Sequence, residues 1–278
     1  MLAPDRAGEV ARIYRYVTGL IAAKFGIEIH AVQMLSTHIH EVLTDVNGML
    51  PRFLEQRNRL FANALKCFRG WPEEVFSREG ANCVELFGPT AIEKEMLYTL
   101  ANCVEAGLVS TPNEWPGVNT PVEELGRKAH VVSRPRVYFS EEMPKDATFE
   151  TTIPKALIEA HGTAHHARRA IESGLHERVA ALHRAFAKAG RTYLGVAKVL
   201  AARFTARSNA FESFGARVPS FAAAGVKEAA TLALSLRATF LRAYRKAFEA
   251  FRAGERTVPF PFGTWRMRFV AGAYVAQA

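Results

Sequence analysis

Residues 27–45 constrain the fold more than any other stretch of this chain. Ile27 to Leu35 alternate and carry β-branched side chains, the period-two signature of a strand. The small polar pair Ser36-Thr37 reads as a turn. A second strand then runs over 38–45 to the turn-like Asp45-Val46-Asn47-Gly48. Helical periodicity flanks both strands. Residues 8–25 form an amphipathic helix ended by Gly26, and 49–69 form another, with Leu50, Phe53, Leu54, Leu60, Phe61, Ala64, Leu65 and Phe68 on its apolar side. Strands and helices interleaved this closely predict an α+β domain.

The rest of the chain divides by composition. Residues 82–87 read as a short strand. Pro89-Thr90 opens a helix over 91–106 that Gly107 caps. Six prolines between 110 and 155 (Pro112, Pro116, Pro121, Pro135, Pro144 and Pro154) predict irregular, wrapping chain. Ala/Arg/Leu-rich segments with helical period follow at 154–213 and 222–254, and then an aromatic, basic stretch at 258–269. These shifts predict a domain over 1–120, a Pro-rich linker over 121–153, and a helical extension over 154–278. The extension is strongly basic: 151–278 holds 20 Lys+Arg against 7 Asp+Glu, a net +13, while 1–150 is net −4. Such an excess fits an anionic partner such as nucleic acid. No apolar run is long enough to span a bilayer, and no secretory leader is apparent, so a cytoplasmic protein is expected. Cys67, Cys83 and Cys103 fit no zinc spacing and read as small buried hydrophobes in a reducing compartment.

The chemical signals lie in two elements. In MLSTHIHEVLTD, His38 and His40 share one face of a strand, while Ile39 points into the core. Two neutral imidazoles so placed can grip a cation, given an oxygen ligand and an open position. A strand with two hydrogen-bonded histidines is the alternative. In the helix 91–106, Tyr98 and Asn102 lie one turn apart on a common face. A phenol is a poor nucleophile near neutral pH unless a cation or base raises its phenolate fraction. Together, two imidazoles, a carboxamide and a phenol supply the parts for metal-assisted phosphodiester cleavage through a covalent tyrosine intermediate. His30 reads as a structural or surface residue, and the His161/His165 pair reads as a solvated basic face.

The order helix, strand, His-hydrophobic-His strand, helix, strand, Tyr-x-x-x-Asn helix, then Ala106-Gly107-Leu108-Val109 and Trp115-Pro116-Gly117, resembles the HUH single-tyrosine transposases. Within them it is most similar to the REP-associated tyrosine transposase branch. The resemblance covers about residues 5–120. Leu35-Ser36-Thr37 matches the polar turn before the histidine strand, and Cys103 stands where that branch usually has proline. The resemblance implies a ferredoxin-like antiparallel sheet with helices on one face. It implies Mg²⁺ or Mn²⁺ held by His38, His40 and Asn102, and attack by Tyr98 on single-stranded or hairpin DNA. The products would be a 5′-phosphotyrosine link and a free 3′-OH, the chemistry of DNA transposition. It also implies a nucleoid-associated location and a homodimer as the candidate assembly.

The chain departs from that pattern before its first helix, where family members carry a strand. Without it, one edge of the histidine strand is unpaired. A start placed too far downstream, a filling strand from residues 264–270 or a partner chain, and a catalytically decayed DNA-binding protein of the same ancestry are the alternatives. In the extension, Arg168, Arg169, Arg203, Arg207, Arg242, Arg245 and Lys246 are candidates for tracking phosphates. Trp265, flanked by Arg266 and Arg268, is a candidate for stacking on a base.

Overall fold

A computed structural model describes residues 1–76, 81–206 and 220–277 and shows a mixed α+β protein. Helix α1 (Glu9–Phe25) buries Val10, Ile13, Tyr14, Val17 and Ile21, the three-and-four spacing of an amphipathic helix. Gly26 ends it in the left-handed region at φ 68°, and its N–H bonds to Ala22 O. Asn47 closes over this turn, its Nδ2 donating to Phe25 O at 3.2 Å. The chain turns directly into β1 (Ile27–Met34), which pairs antiparallel with β2 (Ile39–Asp45). Both carboxylate oxygens of Asp45 then accept from the first N–H groups of α2 (Leu50–Arg69), at 2.8 and 2.9 Å.

Two cores lie on opposite faces of this hairpin. Ile29, Val32, Met34, Ile39 and Leu43 pack against α1 and α2. Ala31, Leu35 and Val42 pack against α3 (Pro89–Glu105). Helices on both faces replace the single helical face expected. The physical reason is that β1 is buried at nearly every position, so neither of its faces can be left to water.

The Pro-rich stretch is not a bare linker. Within 121–153, β4 (Ala129–Ser133) and β5 (Asp146–Glu150) form an antiparallel hairpin. β5 lies so close to α1 that a Cβ at Gly19 would stand 2.3 Å from Thr148 O. Alanine is the better helix former by about 1 kcal/mol, so glycine here serves the close approach. Gly19→Ala is expected to cost about 2–3 kcal/mol, measured as a lower urea midpoint, because backbone rather than a flexible side chain must yield.

The second edge of β1 is covered by non-strand chain. Met34 N donates to Val118 O at 2.9 Å, Val32 N to Thr120 Oγ1 at 3.0 Å, and Thr152 N to Ile29 O at 2.8 Å. His30, at the bulge of β1, completes this seam. Its Nδ1 lies 3.1 Å from Thr152 O, and its Nε2 lies 2.8 Å from Thr44 Oγ1. Of the structural and surface readings of His30, burial leaves the structural one. Burial, the largest cause, holds its pKa below the ordinary 6.5, against the Thr152 hydrogen bond and the charge of Glu28. A depressed basic pKa means that the unfolded chain binds the extra proton first. Stability from His30 is thus complete above about pH 6.5 and falls as the pH drops below it. His30→Gln is expected to flatten that part of a stability–pH profile measured by urea unfolding.

Beyond α3, α4 (Lys155–His161) and α5 (Ala164–Lys188) return to the second core, where Leu157, Ile171, Leu175 and Val179 meet Met96, Leu100 and Val104. The basic half is thus built into the same core as α3. The strand expected at 82–87 is reduced to β3 (Glu85–Leu86), which pairs parallel with β6 (Phe221–Ala222) after the short α6 (Val196–Ala201). The long α7 (Lys227–Arg252) leaves Leu232, Leu234 and Leu236 about half exposed or more. Residues 265–269 form the helix α8 rather than a strand. Among the described residues, no strand pairs with the second edge of β2, and no helix is long and apolar enough to cross a membrane.

Candidate active site

The face of β2 that carries His40 is the face that α3 covers. The His38 and His40 rings meet edge to face with centroids 4.7 Å apart, and the His40 and Tyr98 rings do the same at 5.2 Å. Three rings, one from the residue just before β2, one from β2 and one from α3, therefore form one continuous row. His38 is exposed, with its Nδ1 2.9 Å from Thr37 Oγ1; His40 and Tyr98 are half-buried. Asn102, one turn along α3, is buried, and its Oδ1 has no hydrogen-bond partner. A buried amide oxygen without a donor is costly and marks a place where a missing ligand fits.

The electrostatics favour a resting, protonated phenol. Burial and then the Glu105 carboxylate push Tyr98 above its ordinary value, against a hydrogen bond from Asn102 and the charge of Arg178. Burial and then the neighbouring His38 push the His40 imidazole below its ordinary value, so its neutral, ligating form is favoured. Among the described residues, no group of three or more His, Cys, Asp or Glu side chains could hold a metal ion. An ion held by the two imidazoles would take its third donor from outside that set, and the orphaned Asn102 oxygen is the candidate. Two nitrogens and one oxygen, with the remaining positions left to water and phosphate, fit a divalent ion.

Three further residues belong to this site and were missed in the sequence. Arg178 of α5 stands with its guanidinium carbon 5.4 Å from the Tyr98 ring centroid. It donates to Glu105 Oε2 at 2.7 Å. Glu105 was legible as the residue two turns beyond Tyr98; nothing in the sequence tied Arg178 to either. Gln33 lies opposite His40 in the strand register and is fully buried, with neither end of its carboxamide hydrogen-bonded. Gln33→Met removes two orphaned polar atoms at similar volume. It is expected to stabilise the metal-free protein by about 1–3 kcal/mol, measured by chemical denaturation.

The basic residues expected to bind DNA separate into groups. Arg169, Arg203, Arg242, Arg245 and Lys246 are exposed. Arg169 pairs with Glu172 at 3.3 Å, and Arg242 bonds Thr239 at 3.1 Å. Arg168 is buried and donates to Leu125 O at 3.1 Å, so it ties α5 to the loop before β4 and is not available to phosphate. Trp265 is half-buried, its Nε1 is buried, and it lines a shallow pocket with Leu50, Pro51 and Leu54 of α2. Arg207 lies outside the described residues. His161 meets Glu93 at 3.4 Å rather than forming a metal grip with His165. Of the cysteines, only Cys103 is buried, where burial raises the thiol to about 12; Cys67 and Cys83 are exposed.

Compared with protein-family models, with curated proteins and with solved structures, the chain finds no match in any of the three.

Proposed function

We propose that the protein is a metal-dependent enzyme that cleaves and rejoins single-stranded DNA through a phosphotyrosine intermediate, in the manner of an HUH single-tyrosine transposase. The observation that carries this reading is the ring row His38–His40–Tyr98 with the orphaned Asn102 oxygen beside it. In this reading Tyr98 Oη forms a bond to the scissile phosphorus, and the phenol proton passes to solvent. The P–O3′ bond breaks, and the departing 3′ oxygen takes up a proton. The phosphotyrosine keeps the energy of the broken bond, so a 3′-OH can reverse the step without a nucleotide cofactor. Mg²⁺ or Mn²⁺ held by His38, His40 and Asn102 would supply Lewis-acid polarisation of the phosphate. The ring contact with His40 fixes where the phenol points, and exposed Arg169, Arg203, Arg242, Arg245 and Lys246 would draw in single-stranded or hairpin DNA. A homodimer on the nucleoid is the accompanying assembly.

The decisive experiment incubates the full chain with random-sequence single-stranded oligonucleotides and Mn²⁺. The expected product is a protein–DNA adduct that survives denaturing electrophoresis and disappears with chelator. The second edge of β2, with which no strand among the described residues pairs, favours a second reading, a DNA-binding protein that has lost cleavage. It predicts salt-sensitive binding to the same oligonucleotides with no adduct.

A further inference from the structure

We propose that Arg178 is the residue that grips the scissile phosphate, so that α5 of the basic half supplies part of the catalytic centre. This inference rests on the phosphodiester reading of the Tyr98 site. Arg178 is a cation held against the ring of the attacking group. Its guanidinium carbon lies 5.4 Å from the Tyr98 ring centroid, and that ring is held against His40 at 5.2 Å. One nitrogen is engaged by Glu105 at 2.7 Å, while Nε is buried and has no partner. A guanidinium carries five donors in a planar fork that matches two oxygens of a phosphate. Arg178 is therefore a half-occupied fork beside the nucleophile. Its side chain and that of Glu105 are 29% and 41% exposed, so the pair is reachable from solvent and contributes little to stability.

Charge explains why the fork rests on Glu105. An unpaired carboxylate next to Tyr98 would repel an entering phosphodiester. Paired with Arg178, it presents no net charge, and it holds the guanidinium at the mouth of the site. An arriving phosphate can then share or replace the carboxylate with little rearrangement.

The test measures equilibrium binding of fluorescent random-sequence single-stranded oligonucleotides in Mn²⁺. All variants are built in the Tyr98→Phe protein, so that no cleavage intervenes. Arg178→Gln is expected to weaken binding about 10- to 100-fold, the value of hydrogen bonds to a charged group. It should also reduce the slope of log K against log salt by about 0.7, one phosphate contact on a single strand. Arg178→Lys should keep the slope and recover only part of the affinity, because the fork is lost but the charge stays. Thermal melting of each variant establishes that the fold is kept. The double variant Arg178→Gln/Glu105→Gln separates contact from neutralisation. Binding that stays weak supports the proposal, whereas recovery to the parent's affinity overturns it. An unchanged affinity and salt slope in folded Arg178→Gln, with adduct formation intact in the otherwise wild-type chain, overturns this proposal alone. A wild-type chain that neither binds the oligonucleotides nor forms an adduct removes the phosphodiester reading and the proposal together.

Discussion

Tyr98→Phe is expected to reduce covalent capture of single-stranded DNA to background while leaving Mn²⁺ affinity and the melting temperature close to wild type. The substitution removes one oxygen and keeps the ring that meets His40 at 5.2 Å and Arg178 at 5.4 Å. The hydrogen bond lost is the one with Asn102. The cost is expected to be about 1 kcal/mol, the ordinary net value of such a bond. Loss of the nucleophile of a covalent pathway costs about 10⁴-fold or more, so denaturing electrophoresis should show no adduct. Binding of oligonucleotide by the same protein should persist, since the substitution removes no basic side chain. An adduct formed by the phenylalanine protein would identify another nucleophile and remove Tyr98 from the chemistry.

The largest expected effect on stability is at the other face of the histidine strand. Glu41 points into the first core, where Arg57 of α2 grips it with two bonds of 2.7 Å. The Tyr14 hydroxyl donates to the same carboxylate. The Arg57 and Glu41 side chains are 3% and 11% exposed. Burial alone would make the guanidinium easier to deprotonate; the charge of Glu41 more than reverses this, and the Arg57 pKa lies above its ordinary value. The Tyr14 phenol is held protonated by burial and then by Glu41, which suits its role as donor. Breaking such a pair from one side leaves a buried charge alone. Arg57→Met and Glu41→Gln are therefore each expected to destabilise by about 3–5 kcal/mol in urea unfolding. The double variant should recover most of that loss, because an apolar and a neutral side chain leave no unpaired charge behind. Equal losses in single and double variants would mean that shape, not charge pairing, sets the cost. Since Glu41 adjoins His40, weaker Mn²⁺ binding is also expected in the single variants.

Local spacing made much of this architecture legible. The alternation over 27–35, the Ser36-Thr37 turn, the glycine after 25 and the apolar stripe of 49–69 place α1, β1, β2 and α2 within a residue or two of their observed bounds. The same rules put His38 with His40 and Tyr98 with Asn102. They also held a hint that went unread. Arg57 falls between Phe53 and Phe61 on the apolar stripe of α2, and Glu41 falls between Ile39 and Leu43 on the core face of β2. A charge on each of two core-facing stripes is a sign of a buried pair. The Pro-rich region misled because prolines exclude regular structure only where they stand. Between Pro121 and Pro135, and again after Pro144, enough free chain remains for β4 and β5.

By itself, then, the sequence determined the helices and strands from α1 to α2, the helix α3, and which side chains share a face on them, because those relations repeat over two to four residues along one element. Only the tertiary structure decided which faces meet. It set α3 over His40, brought Arg178 to Glu105 across 73 positions, and buried Gln33 and Arg168. Such contacts depend on the shape and charge of surfaces far apart in the chain, and no period within a single element encodes them.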